Sequence, residues 1–134
     1  MKEVFITREA LEIILKVSRE LYPREFVGQL RGKGNLIREV LIIPKSTFGH
    51  GFSQTRIDMI PLDTTIIGSV HSHPGTIYKP SITDLIHFSK FGYLHLIVRY
   101  PYESIGDIAC YNNAGEKLDI KVLMGEGEEN ETLF

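Results

Sequence analysis

The chain is 134 residues long with a formal net charge of −2 and a single cysteine, enough sequence for one domain whose core needs no disulfide or structural metal. Cys110 alone excludes an intrachain disulfide and fits a reducing compartment. Residues 124–134 hold Glu126, Glu128, Glu129 and Glu131 and no Lys or Arg; setting those acids aside moves the net charge from −2 to +2, so neither part has the basic bias of a nucleic-acid binder.

Charged Lys2 and Glu3 stand where a signal peptide would need its apolar region, and no stretch approaches the length of a membrane span. The expectation is a cytoplasmic protein without a membrane partner. After the short apolar run Val4-Phe5-Ile6, Thr7 can cap a helix from Arg8 to about Tyr22. Leu11, Ile14, Leu15, Ser18 and Leu21 recur at helical spacing, and Pro23 ends the helix. Residues 25–30 and 36–43 flank Arg31-Gly32-Lys33-Gly34-Asn35 and read as a hairpin, with Pro44 closing the second strand. Residues 45–53 form a polar stretch with Gly49 and Gly51, a candidate functional loop leading to a possible strand at Gln54 to Ile60.

Thr65 to Val70 is apolar and β-branched, the pattern of a buried central strand giving out into a loop at His71 to Pro74. Pro80 and Ser81 start a second helix expected to run to about Phe91, with Gly92 as its terminator. Strands at Leu94 to Tyr100, Asp107 to Tyr111 and Lys117 to Leu123 complete the chain, the last two joined by an Asn112-Asn113-Ala114-Gly115 turn. Cys110 falls inside a strand and reads as a small buried hydrophobe. The sum is one α/β domain over residues 1–123, with a mixed sheet and two main helices, followed by an acidic tail at 124–134 expected to be disordered.

The segment from His71 to Asp84 carries the chemistry. His71 and His73, two apart on an extended strand, point to the same face, and Asp84 from the next element can complete a set of three ligands. A catalytic zinc needs three protein ligands and one open position, and zinc suits two imidazoles and a carboxylate, although iron, nickel and manganese also accept them. Ser81-Ile82-Thr83-Asp84 is also a helix-capping signature, which accounts for Ser81 and Asp84 but not for the histidines. Hydrolysis at such a site further requires a base and a donor to the developing oxyanion. Ser81 can donate, or it can simply cap the helix. Glu25, between Pro23 and an apolar strand, is either a solvated carboxylate at a strand start or a base aimed at the site. His50 reads as a solvated loop residue, His87 as a neighbour of Asp84 on the same helix face rather than a ligand, and His95 as a hydrogen-bonded strand residue.

Taken together, Glu25 before Phe26-Val27-Gly28, His71-Ser72-His73-Pro74 and Ser81-x-x-Asp84 resemble the JAMM, or MPN-plus, metalloprotease family across nearly the whole chain. The resemblance implies a cytidine-deaminase-like fold, a curved mixed β-sheet flanked by two main helices. It implies one Zn2+ per chain held by His71, His73 and Asp84, with Glu25 as general base and Ser81 stabilising the tetrahedral intermediate. The implied reaction is hydrolysis of isopeptide or peptide bonds at the C-terminus of ubiquitin-like proteins, and the shortness of the chain favours a single small ubiquitin-like or sulfur-carrier partner. Relatives lacking some of these ligands serve as inactive scaffolds, which is the alternative, but every position here holds a competent residue. A substrate tail can add as a strand to a sheet edge, and the expected edge is Gly51 to Met59, with Phe52, Gln54, Thr55 and Arg56 as candidate contacts.

Overall fold

A computed structural model describes residues 2–43 and 64–123. In chain order the elements are β1 (Glu3–Thr7), α1 (Arg8–Leu21), β2 (Val27–Lys33), β3 (Leu36–Ile43), β4 (Ile66–His73), α2 (Ile82–Phe88), β5 (Leu94–Arg99), a 3-10 turn (Ile105–Asp107), β6 (Ile108–Tyr111) and β7 (Lys117–Leu123). Both anticipated helices are present. The expected edge at Gly51 to Met59, the loop with His50 and the acidic tail lie outside the described residues.

Helix α1 starts where Thr7, in extended conformation, accepts a hydrogen bond from the backbone of Ala10 at 3.2 Å. Its stripe of Ala10, Leu11, Ile14, Leu15 and Ser18 is buried, and Ser18 is satisfied by donating to the Ile14 carbonyl at 2.7 Å. The β2–β3 hairpin forms as its turn chemistry predicts, with a bulge between Arg31 and Gly32 that carries β2 on to Lys33. Helix α2 stops at Phe88, a turn short of the expected end. Lys90 and Phe91 donate to the carbonyls of His87 and Phe88, a tight three-residue spacing that winds the helix down before Gly92, at φ +84, reverses the chain.

The sheet differs from the open, cytidine-deaminase-like one expected. It is a closed seven-stranded barrel in the order β1-β3-β2-β4-β5-β6-β7. Closure falls to β1, which pairs in parallel with β3 on one side and with β7 on the other. In the sequence this five-residue segment shows only as an apolar run leading into a cap. Its alternation, with Val4 and Ile6 fully buried, is interrupted by Phe5 on the opposite face. A short strand that uses both its edges leaves no local mark of having two partners.

Strands β5 and β6 are buried on both faces, and that divides the interior in two. Leu94, Leu96, Val98, Ile108 and Cys110 join the α1 stripe, Val4, Ile6, Phe26, Leu30, Ile37 and Val70 in the main core. On the opposite face Ile97, Ala109 and Tyr111 pack with Phe88 of α2, and with Tyr78 and Leu85, in a smaller cluster. Burial pushes the Cys110 thiol up to about 12, which keeps it protonated and inert. Among the described residues no helix is long and apolar enough to cross a membrane.

The parallel contact between β4 and β5 is close enough to require glycine at position 68. A β-carbon there would lie 1.6 Å from the Leu94 carbonyl oxygen, a backbone atom that cannot move without breaking the ladder. Gly68→Ala is therefore expected to cost about 3 kcal/mol or more, read as a lower urea midpoint. An unchanged midpoint would mean that β4 and β5 do not pair in the register His71 to Ile97.

Candidate metal centre

Strand β4 is paired on both sides, antiparallel to β2 with Val27 opposite His71 and parallel to β5 with Ser69 opposite His95. Both histidines lie on the extended strand that their spacing implied, and the strand runs on to His73 before it gives out into the loop. The pleat turns Ser69, His71 and His73 to the face covered by α2, while Val70 and Ser72 turn inward. Ser72 is fully buried and accepts a hydrogen bond from the Phe26 backbone at 2.9 Å, its own N–H donating to the Phe26 carbonyl at 3.1 Å. These bonds carry the β2–β4 ladder one residue beyond Val27. Phe26 belongs to the main core, and Glu25 precedes it outside the strand, with its side chain exposed.

Asp84 arrives from α2. Ser81, extended at φ −84 and ψ 172, caps the helix by accepting from the Asp84 N–H at 3.1 Å, and Asp84 Oδ2 accepts the Ser81 N–H at 2.8 Å. Both arms of the capping box are made. The box fixes the carboxylate so that Oδ1 lies 3.1 Å from His71 Nε2 and Oδ2 lies 3.7 Å from His73 Nε2; the two Nε2 atoms are 3.0 Å apart. Burial works to raise the Asp84 carboxyl, but it is outweighed by hydrogen bonding to His71 and the Ser81 backbone and by the charge of His71. The group is held well below the usual carboxylate range.

His73 Nδ1 faces the Ile77 carbonyl at 3.2 Å, which requires a proton on Nδ1 and leaves the Nε2 lone pair aimed at His71 and Asp84. Two imidazole nitrogens and a carboxylate therefore converge, all ligand atoms within 4.8 Å of one another. A tetrahedral zinc with bonds of about 2.0–2.1 Å spaces its ligands by roughly 3.3 Å, and the 3.0 Å between the two imidazole nitrogens and the 3.1 Å from His71 Nε2 to Asp84 Oδ1 lie close to that edge. The residues thus fit a small cation, with Ile77 orienting one imidazole from behind.

Among the described residues, His87 and His95 lie outside this set. His87 is half-buried against the Phe91 ring, centroids 4.6 Å apart, and burial lowers its pKa. His95 is fully buried, stacked on Phe88 at 4.2 Å. Its Nδ1 faces Ser69 Oγ at 2.8 Å and its Nε2 meets Asn113 Oδ1, so a neutral ring protonated on Nε2 satisfies both contacts. The Asn113 amide continues the chain to the Gly92 carbonyl at 3.0 Å. Sequence reasoning had no role for Ser72 or for Ile77. Ser72 was detectable as a small polar residue at an inward strand position, which requires a buried partner; a main-chain carbonyl such as that of Ile77 has no signature in side-chain types.

A barrel that presents a His-x-His pair at a strand end and an aspartate from the next helix cap defines a metallohydrolase-like class of domain. Residues 7–114 match the family model described as prokaryotic homologs of the JAB domain, and the chain belongs to this JAB1/MPN/JAMM metalloprotease-like family. It is 33% identical over 141 residues to a probable metalloprotease of Haloferax volcanii, covering 98% of this chain and 86% of the relative. The crystal structure of a JAB1/MPN domain protein from Archaeoglobus fulgidus superposes with a TM-score of 0.70 at 34% identity, covering 92% of this chain and 99% of that one. A structure described as JAMM, a metalloprotease-like zinc site in the proteasome and signalosome, gives the same TM-score at 31% identity, covering 90% and 97% of the two chains.

The buried His95 makes stability depend on pH. Burial lowers its pKa to about 4 from an ordinary 6.5, against the opposing hydrogen bond to Asn113, so between those values the unfolded chain takes up a proton that the folded one refuses. Stability is whole above about pH 6.5 and falls as pH drops toward 4, by about 3 kcal/mol in all from this group. In metal-free protein, His95→Gln is expected to flatten the unfolding free energy across that window. Equal slopes in parent and variant would contradict the buried, neutral ring.

Proposed function

We propose that the chain is a zinc-dependent hydrolase that cleaves isopeptide or peptide bonds at the C-terminus of ubiquitin-like or sulfur-carrier proteins, with His71, His73 and Asp84 holding one Zn2+. The observation that carries the reading is the convergence of two imidazole nitrogens and a carboxylate within 4.8 Å of one another, two of the separations lying near those of a tetrahedral ion. Membership of the family supports the zinc chemistry, as does the metalloprotease description of the Haloferax relative. When bound, zinc supplies a Lewis acid for the scissile carbonyl and lowers the pKa of the attacking water.

The chain's own residues account for the rest. Glu25, exposed just before β2, is assigned the role of base. It takes the proton of the attacking water and returns it to the nitrogen that leaves as the C–N bond breaks. Ser81 Oγ uses a lone pair to accept the Asp84 N–H, which leaves its hydroxyl hydrogen to donate to the oxyanion. Capping and catalysis are therefore compatible at one hydroxyl. The substrate tail is assigned to Phe52, Gln54, Thr55 and Arg56, and the lone buried Cys110 fits a cytoplasmic setting.

The test is cleavage of a ubiquitin-like protein fused through its diglycine tail to a reporter. Zinc-loaded parent protein is expected to release the reporter, a chelator to stop it, and Glu25→Gln to slow it at least about 100-fold while keeping its zinc. Cleavage that survives both treatments would overturn the reading, and the absence of cleavage by the loaded parent would favour a scaffold. Thr55→Pro, which removes a main-chain donor, is expected to raise KM severalfold at unchanged zinc content; unaltered kinetics would remove the substrate track from this segment.

A further inference from the structure

His73 is the last residue of β4, and Pro74 after it has no N–H to continue a ladder. His73 is opposite Arg99 in the β4–β5 register, and the end of the strand is also held by Tyr102, whose hydroxyl donates to the His73 carbonyl at 2.7 Å. We propose that Tyr102 is a positioning residue for the metal ligand His73, fixing the strand end from which its imidazole projects. The inference rests on the zinc reading given above.

Three further observations support it. Tyr102 is 1% exposed and has φ +59, the only positive φ at a non-glycine residue among those described. A side chain in that region costs about 1 kcal/mol or more and persists only where the surroundings enforce it. Here they do. Arg19 of α1 donates to the Tyr102 carbonyl at 2.6 Å, Tyr102 N–H donates to the Arg99 carbonyl at 3.0 Å, and the Asp107 carboxylate accepts the Glu103 N–H at 2.8 Å and Arg99 Nε at 3.2 Å. Finally, the same segment grips the loop after His73, Tyr100 N–H donating to the Gly75 carbonyl at 2.9 Å. That loop supplies Ile77, whose carbonyl faces His73 Nδ1.

His73 is thereby held at its main chain by Tyr102 and at its ring by Ile77, and one segment, residues 99–107, governs both. The Tyr102 ring also packs in the main core beside Tyr22 and Tyr100, a role that a phenylalanine would keep. Tyr102→Phe removes the hydroxyl alone and leaves the His73 carbonyl without that donor, so Nε2 is less well fixed for the metal.

The experiment measures zinc affinity by competition with a chromophoric chelator, the visible spectrum of the Co2+ form, and the Tm of the metal-free protein. For Tyr102→Phe the expected result is zinc affinity weakened about tenfold, the loss typical of partners that orient a ligand. The Co2+ bands should be altered and the metal-free Tm should stay within a few degrees of the parent. A zinc affinity within twofold of the parent overturns the proposal, whether or not Tm falls, because a merely structural hydroxyl would move only Tm. Arg19→Met, on the exposed side of α1, loosens the same residue from its carbonyl and is expected to weaken zinc about threefold. It decides the matter if Tyr102→Phe does not fold, with unchanged affinity again counting against the proposal. A parent chain that takes up no zinc would overturn the hydrolase reading as well, whereas equal binding by parent and variants overturns only the placement of Tyr102.

Discussion

Strand β4 is hydrogen-bonded along both edges, and almost everything else about the site follows from that. With β2 and β5 fixing its register, a slip by one residue would exchange Ser72 with the histidines and turn both imidazoles into the main core. The two flanking ladders exclude the slip, and Gly68, which permits the close approach of β5, makes the register tighter still. The histidines are consequently presented by a strand paired on both sides. The Ser72 hydroxyl, facing inward, ties Phe26, just before β2, to the same strand.

Much of this was legible in the sequence because the signals are local. Thr7 and Ser81 mark helix starts through their own backbone geometry, the turn at Gly34 joins two alternating strands, and a His-x-His pair in an extended segment must share a face. The closed barrel was not legible. Whether Glu3–Thr7 lies at an edge or between two strands depends on β3 and β7, distant in sequence, and no residue within β1 records that choice. The end of β4 was read early for a related reason: Pro74 marks where pairing must stop, but how far the ladder reaches before it depends on partners on both sides. The lengths of α2 and β2 also shifted at their ends, where competing hydrogen bonds of similar strength decide the boundary.

The two buried faces of β5 and β6 divide the labour of the domain. The inward face builds the main core with α1 and supplies ordinary apolar stability. The outward face, under α2, combines the small cluster around Phe88 with the satisfied Ser69, His95 and Asn113 network. That network carries no ligand, but its directional bonds join β4, β5 and the turn at 112–115, and so resist sliding of the strands beneath the metal-binding face.

The division of work between the two oxygens of Asp84 bears on which ions the site can distinguish. One oxygen is committed to the Ser81 N–H and the other faces His71, so the carboxylate is disposed to act as a one-handed ligand. Two nitrogens and a single oxygen make a sparse, borderline donor set. Calcium and magnesium, which require six or more oxygens or a rigid octahedron of them, find little to replace the water they would give up. The helix cap thus leaves this candidate site short of the oxygens that a hard cation requires.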